Sequence, residues 1–189
     1  LPYIAESVNS VGVQLAEVGV VTDIKQDIID TVNALRHRYD YVFTTGGIGP
    51  THDDITAESV SEAVGLKLIQ NPEARRRLEE HYKFNGTEIN AARMSMANTP
   101  EGAELIDNPI STAPGFKIEN VHVMAGVPRI MQAMMDNITG SLEGGATKLS
   151  CSVLCNLGEG TIAGGLSDIQ GKFPEIDIGS YPHYARGDY

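Results

Sequence analysis

The stretch TTGGIGPTHDDIT, residues 44–56, decides how the chain is read. It follows the β-prone run DYVF and carries three glycines, a proline and two adjacent aspartates before an apolar helical pattern begins. Glycine lets a backbone approach a ligand closely, and an aspartate in such a loop either holds a metal or caps a helix. Strand, permissive loop and helix together place the loop where open α/β sheets bind ligands, beyond the carboxyl end of a strand. No Gly-Lys-Ser/Thr follows, so this is not a Walker loop. Gly46 and Gly47 are adjacent, so it is not the G-x-G-x-x-G fingerprint either.

Upstream, residues 1–12 place Ile4, Val8 and Val11 at helical spacing, with Pro2 near the start and Gly12 at the end. VQLAEVGVV, residues 13–21, reads as a strand. Asp23 opens a helix with an apolar stripe of Ile28, Val32 and Leu35, and residues 40–45 form the next strand. After the loop, Thr56 reads as an N-cap, with Glu58 in the first turn and Gly65 closing the helix. Strands alternating with helices of this length imply right-handed parallel crossovers. The expected fold is an α/β three-layer α/β/α sandwich with a mostly parallel sheet.

Downstream, Asn71 and Pro72 start a helix that stops near Asn85-Gly86. Arg75, Arg76 and Arg77 lie beside Glu79 and Glu80 on it, the mixed-sign pattern of a solvated face. Residues 87–100 read as a second helical piece, and 115–126 as two strands about Glu119-Asn120. Pro128 starts a helix whose Met131, Met134 and Met135 either pack a core or offer a pliable contact surface. Residues 140–148, with three glycines, form a linker. A strand (148–156), a helix (159–173) and a strand or turn (176–184) then suggest part of a small α+β domain. The expected division is 1–146 and 147–189.

With 189 residues and 41% hydrophobic content, the chain can bury one sizeable core. Its net charge of -11 argues against neutralising nucleic-acid phosphates or an anionic membrane surface. No apolar run approaches the roughly 18 residues that span a bilayer, and a cytoplasmic location is the default. The chain opens on Leu1, so upstream sequence is expected. Cys151 and Cys155, on one strand, would stand about 13 Å apart, too far for a disulfide.

If the strands before Asp23 and before the glycine loop are parallel neighbours, Asp23 and Asp54 project toward one crevice. Two carboxylates over exposed backbone N–H groups are suited to a shared Mg²⁺, with the amides accepting phosphate or a ring edge. The plainer alternatives are that Asp23 only caps its helix, that Asp53 is only solvated and that His52 is an exposed loop residue.

TTGGIGPTHDDIT between strand and helix resembles the signature of the molybdenum cofactor biosynthesis (MoaB/Mog) domain. NPISTAPGFKIENVHVMAGVPRIMQAM, residues 108–134, is similar to the CinA-like competence/damage-inducible subgroup and to the related domain of some FAD synthases. The resemblance implies molybdopterin or a nucleotide as ligand, held by Thr45, Gly46, Gly47 and Gly49, with Asp54 and Asp23 as catalytic acids at the metal. It carries the family's APG turn onto Ala113, Pro114 and Gly115, and leaves Gly126 and Pro128 of the PG-x-P turn, with Ala125 where a proline is usual. The family's first strand, with G-[DN]-E, and its D-x-N motif are not seen here. The resemblance further implies either Mg²⁺-dependent hydrolysis of a nucleotide pyrophosphate such as ADP-ribose, or a carrier or scaffold without turnover. It also implies a homo-oligomer, dimer or trimer, with the methionine-bearing helix as one possible contact.

Overall fold

The computed structural model describes residues 1–147 and 149–182. The chain divides into two compact units, Leu1–Lys148 and Leu149–Tyr189.

In the first unit, helix α1 (Pro2–Ser10) and helix α2 (Lys25–Arg36) precede strand β1 (Val42–Thr45), and helix α3 (Thr56–Ala63) follows the glycine loop. Strand β2 (Leu68–Gln70) leads into helix α4 (Pro72–Phe84), which Asn71 caps by accepting hydrogen bonds from the N–H groups of Glu73 and Ala74. A short helix α5 (Ala91–Met94) and one 3₁₀ turn reach strand β3 (Asn98–Pro100), which pairs antiparallel with β2. Strands β4 (Glu104–Ile106), β5 (Gly115–Ile118) and β6 (Val121–Met124) precede helix α6 (Pro128–Thr139).

The main sheet has the order β1-β6-β5-β4. It is mixed: β1 runs parallel to β6, while β6–β5 and β5–β4 are antiparallel. The β5–β6 turn is the two residues Glu119 and Asn120. Glu119 takes φ 52, the left-handed region that such tight hairpins demand. Asn120 ties the turn to the end of α2, donating to the carbonyls of Arg36 and Tyr39 at 2.9 and 2.7 Å.

Period-two alternation divides the sheet into two apolar faces. Val42, Phe116, Val121 and Val123 pack under α2 and α3 with Ile28, Val32 and Val60. Met124 and Ile106 face the other way, under α1 and α6, with Ile4, Val8, Met131, Met134 and Met135. This is the expected α/β/α layering, but the sheet is mixed where a mostly parallel one was expected, because β5 runs antiparallel to both of its neighbours, β4 and β6. The methionines are interior packing: Met134 and Met135 are fully buried within the unit.

Three local expectations fail for identifiable reasons. Residues 13–21 form no strand; Val20 is fully exposed and no ladder partner lies alongside. Residues 87–100 are not one helix, because β2 draws Asn98–Pro100 into a ladder. In the second unit, helix α7 (Glu159–Lys172) is present, but 149–156 is not a strand, and Cys151 and Cys155 are both exposed free thiols. From residue 183 onward, the expected strand or turn over 176–184 lies outside the described residues.

Candidate functional site

The glycine loop leaves the carboxyl end of β1 and is built in two halves. In the first, Gly46 and Gly47 take φ 100 and 69, conformations costly to any residue with a Cβ. A Cβ on Gly47 would lie 2.0 Å from the Thr56 hydroxyl oxygen, and the Gly47 carbonyl accepts the Thr56 N–H at 2.9 Å. Thr56 is thus the buried first residue of α3, packed on Gly47, and not its cap; Ile55 holds the N-cap position without a side-chain bond. The Gly46 N–H donates to the Met124 carbonyl at 2.9 Å, which anchors the loop to β6. A Cβ on Gly126 would stand 3.1 Å from the Gly46 Cα, so the two loops that cross the strand ends meet backbone to backbone.

In the second half, Asp54 Oδ2 accepts the Thr51 N–H at 2.8 Å and the Thr51 hydroxyl at 2.5 Å. It closes the 51–54 turn as an internal cap. Asp53 is exposed. His52 is exposed, beside Asp53.

The two halves border different recesses. Thr45, Gly46, Gly47, Gly126, Pro128 and Asp23 line a groove of about 1270 Å³. Gly49, Asp54 and Pro114 line a second recess of about 130 Å³, with Glu58, Asn98 and apolar Met96. Gly47 and Ile48 are consecutive, so the recesses lie on either side of one short stretch of backbone. Gly115 stands apart from both, buried in β5, where a Cβ would lie 2.4 Å from the Val123 carbonyl oxygen.

Asp23 and Asp54 therefore do not share a recess. Asp23 is exposed and has no hydrogen-bond partner among the described residues; it does not cap α2, whose N-cap is Ile24. Nor does any group of three or more His, Cys, Asp or Glu side chains suited to a metal occur among the described residues. With Asp54 Oδ2 engaged by Thr51 and Asp23 in the other recess, the two acids do not fit a shared Mg²⁺. Sequence reading missed Glu58 and Asn98 as neighbours of Asp54; the one available signal was Glu58 a single helical turn beyond it.

Across from the loop, α6 begins at Pro128, with no side-chain cap on its first turn. The amino end of a twelve-residue helix thus borders the same groove as Gly46 and Gly47; Pro128 carries no N–H and the Ile130 and Met131 N–H groups both donate to the Val127 carbonyl, so what this end offers an anion is chiefly the helix dipole. No described helix is long and apolar enough to cross a membrane.

Comparison with known proteins bears on this geometry. Residues 1–143 match the family described as "Probable molybdopterin binding domain", and residues 148–189 match the middle domain of FAD synthase. A protein of Archaeoglobus fulgidus is 32% identical over 180 residues, covering 95% of this chain and 76% of its own length. A CinA-like protein of Sulfurihydrogenibium is 37% identical over 138 residues, 70% of this chain but 34% of that protein. The crystal structure of the CinA protein of Thermoplasma acidophilum superposes with a TM-score of 0.67 at 28% identity, covering 74% of this chain and 84% of that one. The chain is a member of the family described as a probable molybdopterin binding domain.

Proposed function

We propose that the Gly46–Gly47 turn and the amino end of α6 bind the phosphate of a phosphorylated pterin or nucleotide, with the ligand's ring turned toward the Asp54 recess. One observation carries this reading: two consecutive glycines in left-handed conformations border a groove that the first turn of α6 also borders. Side-chain-free backbone and a helix amino end together favour an anion.

The smaller recess supports a pterin over an adenine nucleotide. A carboxylate only accepts hydrogen bonds. Asp54 and Glu58 both line a space of about 130 Å³, and each has one carboxylate oxygen engaged elsewhere, Oδ2 by Thr51 and Oε1 by Lys25. A 2-amino-4-oxo ring presents two adjacent N–H donors to such a pair, whereas the adenine edge presents one donor and one acceptor.

A second reading, hydrolysis of a nucleotide pyrophosphate of the ADP-ribose type, is favoured by Asp23, an unpartnered carboxylate on the rim of the same groove. Calorimetric titration with a phosphorylated 2-amino-4-oxopteridine and with ADP-ribose, followed by an assay for AMP with and without Mg²⁺, separates the readings. Pterin binding without AMP release supports a binding or carrier role. AMP release that Asp23→Ala abolishes establishes the hydrolase. Failure to bind either ligand leaves a scaffold.

A further inference from the structure

The Asp54 recess is assembled from two parts of the chain. One wall is the glycine loop and α3, with Asp54 and Glu58; the other is Ser95, Met96 and Asn98, from the excursion between α3 and β4. That excursion, residues 66–101, is built as a separate flap. β2 and β3 pair antiparallel as its stem, and the Glu101 N–H closes the stem on the Lys67 carbonyl at 2.8 Å. α4 packs on it through a small core in which Ala74, Leu78 and Ala97 are fully buried. Gly65 and Gly102 stand at its two ends with φ 70 and 82, and a Cβ at either would meet nothing within 4 Å. Turns at the ends of elements, with free space around them, are where a rigid segment can pivot.

The flap has to move if a ring is to enter. Ligand pockets run from about 300 Å³ upward, whereas the recess measures about 130 Å³. The loop wall is held in place from within: the Thr56 N–H binds the Gly47 carbonyl, and Thr51 binds Asp54. The flap, by contrast, has two side-chain polar ties to the body among the described residues. Arg77 pairs with Asp107, and His81 Nδ1 lies 2.9 Å from the Thr112 hydroxyl oxygen, within hydrogen-bond distance. Leu105 and Ala113 add apolar contact with its small core.

Thr112 takes φ 67, an outlier for a β-branched residue. The surrounding loop imposes it by wrapping around the buried Asn108 side chain, whose amide donates to the Ser111 hydroxyl and the Ala113 carbonyl and whose oxygen accepts the Ile110 and Ser111 N–H groups. Glycine would sit at position 112 without strain; what threonine adds is the hydroxyl that meets His81.

We propose, resting on the pterin reading above, that residues 66–101 are a lid over the Asp54 recess, latched by His81 on Thr112, which swings about Gly65 and Gly102 to admit the ring. Release of the latch frees α4 from the loop that carries Thr112, and the stem then takes Ser95, Met96 and Asn98 away from Asp54 and Glu58. Closure returns the Asn98 side chain, which has no hydrogen-bond partner among the described residues, to the ring.

Amide hydrogen exchange on the 189-residue chain and stopped-flow binding of a phosphorylated 2-amino-4-oxopteridine test this in three forms: unaltered, His81→Ala and Thr112→Gly. The expected result is that α4 exchanges through an opening that leaves β6 protected, and that each variant speeds both this exchange and pteridine association by about 2- to 10-fold, the worth of one hydrogen bond. Exchange of α4 only in step with β6, in every form, would overturn the lid. So would faster α4 exchange in both variants with an unchanged association rate, which would make the His81–Thr112 contact structural alone. The exchange arm needs no ligand: lid-selective exchange, quickened in both variants but with no pteridine bound by any form, would overturn the pterin reading and support the lid motion.

Discussion

The two halves of the loop after β1 use the same kinds of residue for opposite ends. Gly46 and Gly47 hold their backbone in conformations that side chains resist, stay anchored through Met124 and Thr56, and leave the groove side bare. The Thr51–Asp54 half closes on itself: one carboxylate oxygen takes both donors of Thr51. The difference teaches that an acidic residue beside a glycine loop is not thereby a metal ligand. Its hydrogen-bonding oxygens are finite in number, and a turn that uses them leaves fewer for chemistry.

The comparison is broken most forcefully at Gly47. Gly47→Ala forces a φ of 69 on a residue with a Cβ and drives that atom to 2.0 Å from the Thr56 hydroxyl oxygen. We expect a loss of about 2–4 kcal/mol in chemical denaturation, together with loss of ligand binding. Gly46→Ala has more room, since its Cβ would meet only the Gly126 Cα, at 3.8 Å. It should cost about 1–2 kcal/mol and weaken ligand binding by more than its fold loss explains.

On the other half, Asp54→Ala leaves the Thr51 N–H without its acceptor and should cost about 1 kcal/mol, read as a shift in the urea midpoint with unchanged slope. An effect confined to ligand binding, with no loss of stability, would show that the Thr51 bonds contribute little and that Asp54 serves the ligand alone.

A pH scan sharpens the comparison from the sheet beneath the loop. His122 on β6 is 3% exposed beside Tyr41 and Phe43. Burial first, and then its cross-strand neighbour Lys117, hold its pKa below the ordinary histidine value. The unfolded chain therefore takes up a proton near pH 6.5 that the folded chain refuses. Stability from this group is complete above that pH and is lost as pH falls below it, through the lower folded pKa. The melting temperature should decline on that side, and His122→Leu should flatten the decline.

Asp23→Ala is the smallest perturbation. An exposed carboxylate without a partner should change stability by less than about 0.5 kcal/mol, so any effect on binding or turnover is a direct one.

Much of the fold was legible in local pattern. Pro2, Asn71 and Pro128 mark helix starts by their chemistry, and Glu119-Asn120 marks the hairpin between two apolar runs. What pattern did not reveal is pairing. VQLAEVGVV has strand composition, but a strand exists only beside a ladder partner; Leu68–Gln70 lacks a strong strand pattern, yet becomes one because Asn98–Pro100 lies alongside. The site divides the same way. The glycine loop and its place at a strand end could be read from sequence. The assignment of Asp23 and Asp54 to separate recesses, and the bond from Thr51 that occupies Asp54, depend on how the loop folds back.

The central claim, that a phosphorylated pterin sits at Gly46 and Gly47, is tested most directly by titrating the phosphorylated pteridine into isotope-labelled protein and following backbone amide shifts. The account predicts the largest changes at Gly46, Gly47 and the first turn of α6, with smaller ones at Asp54 and Asn98. Saturable changes confined to residues remote from this loop, with Gly46 and Gly47 unmoved, would contradict it.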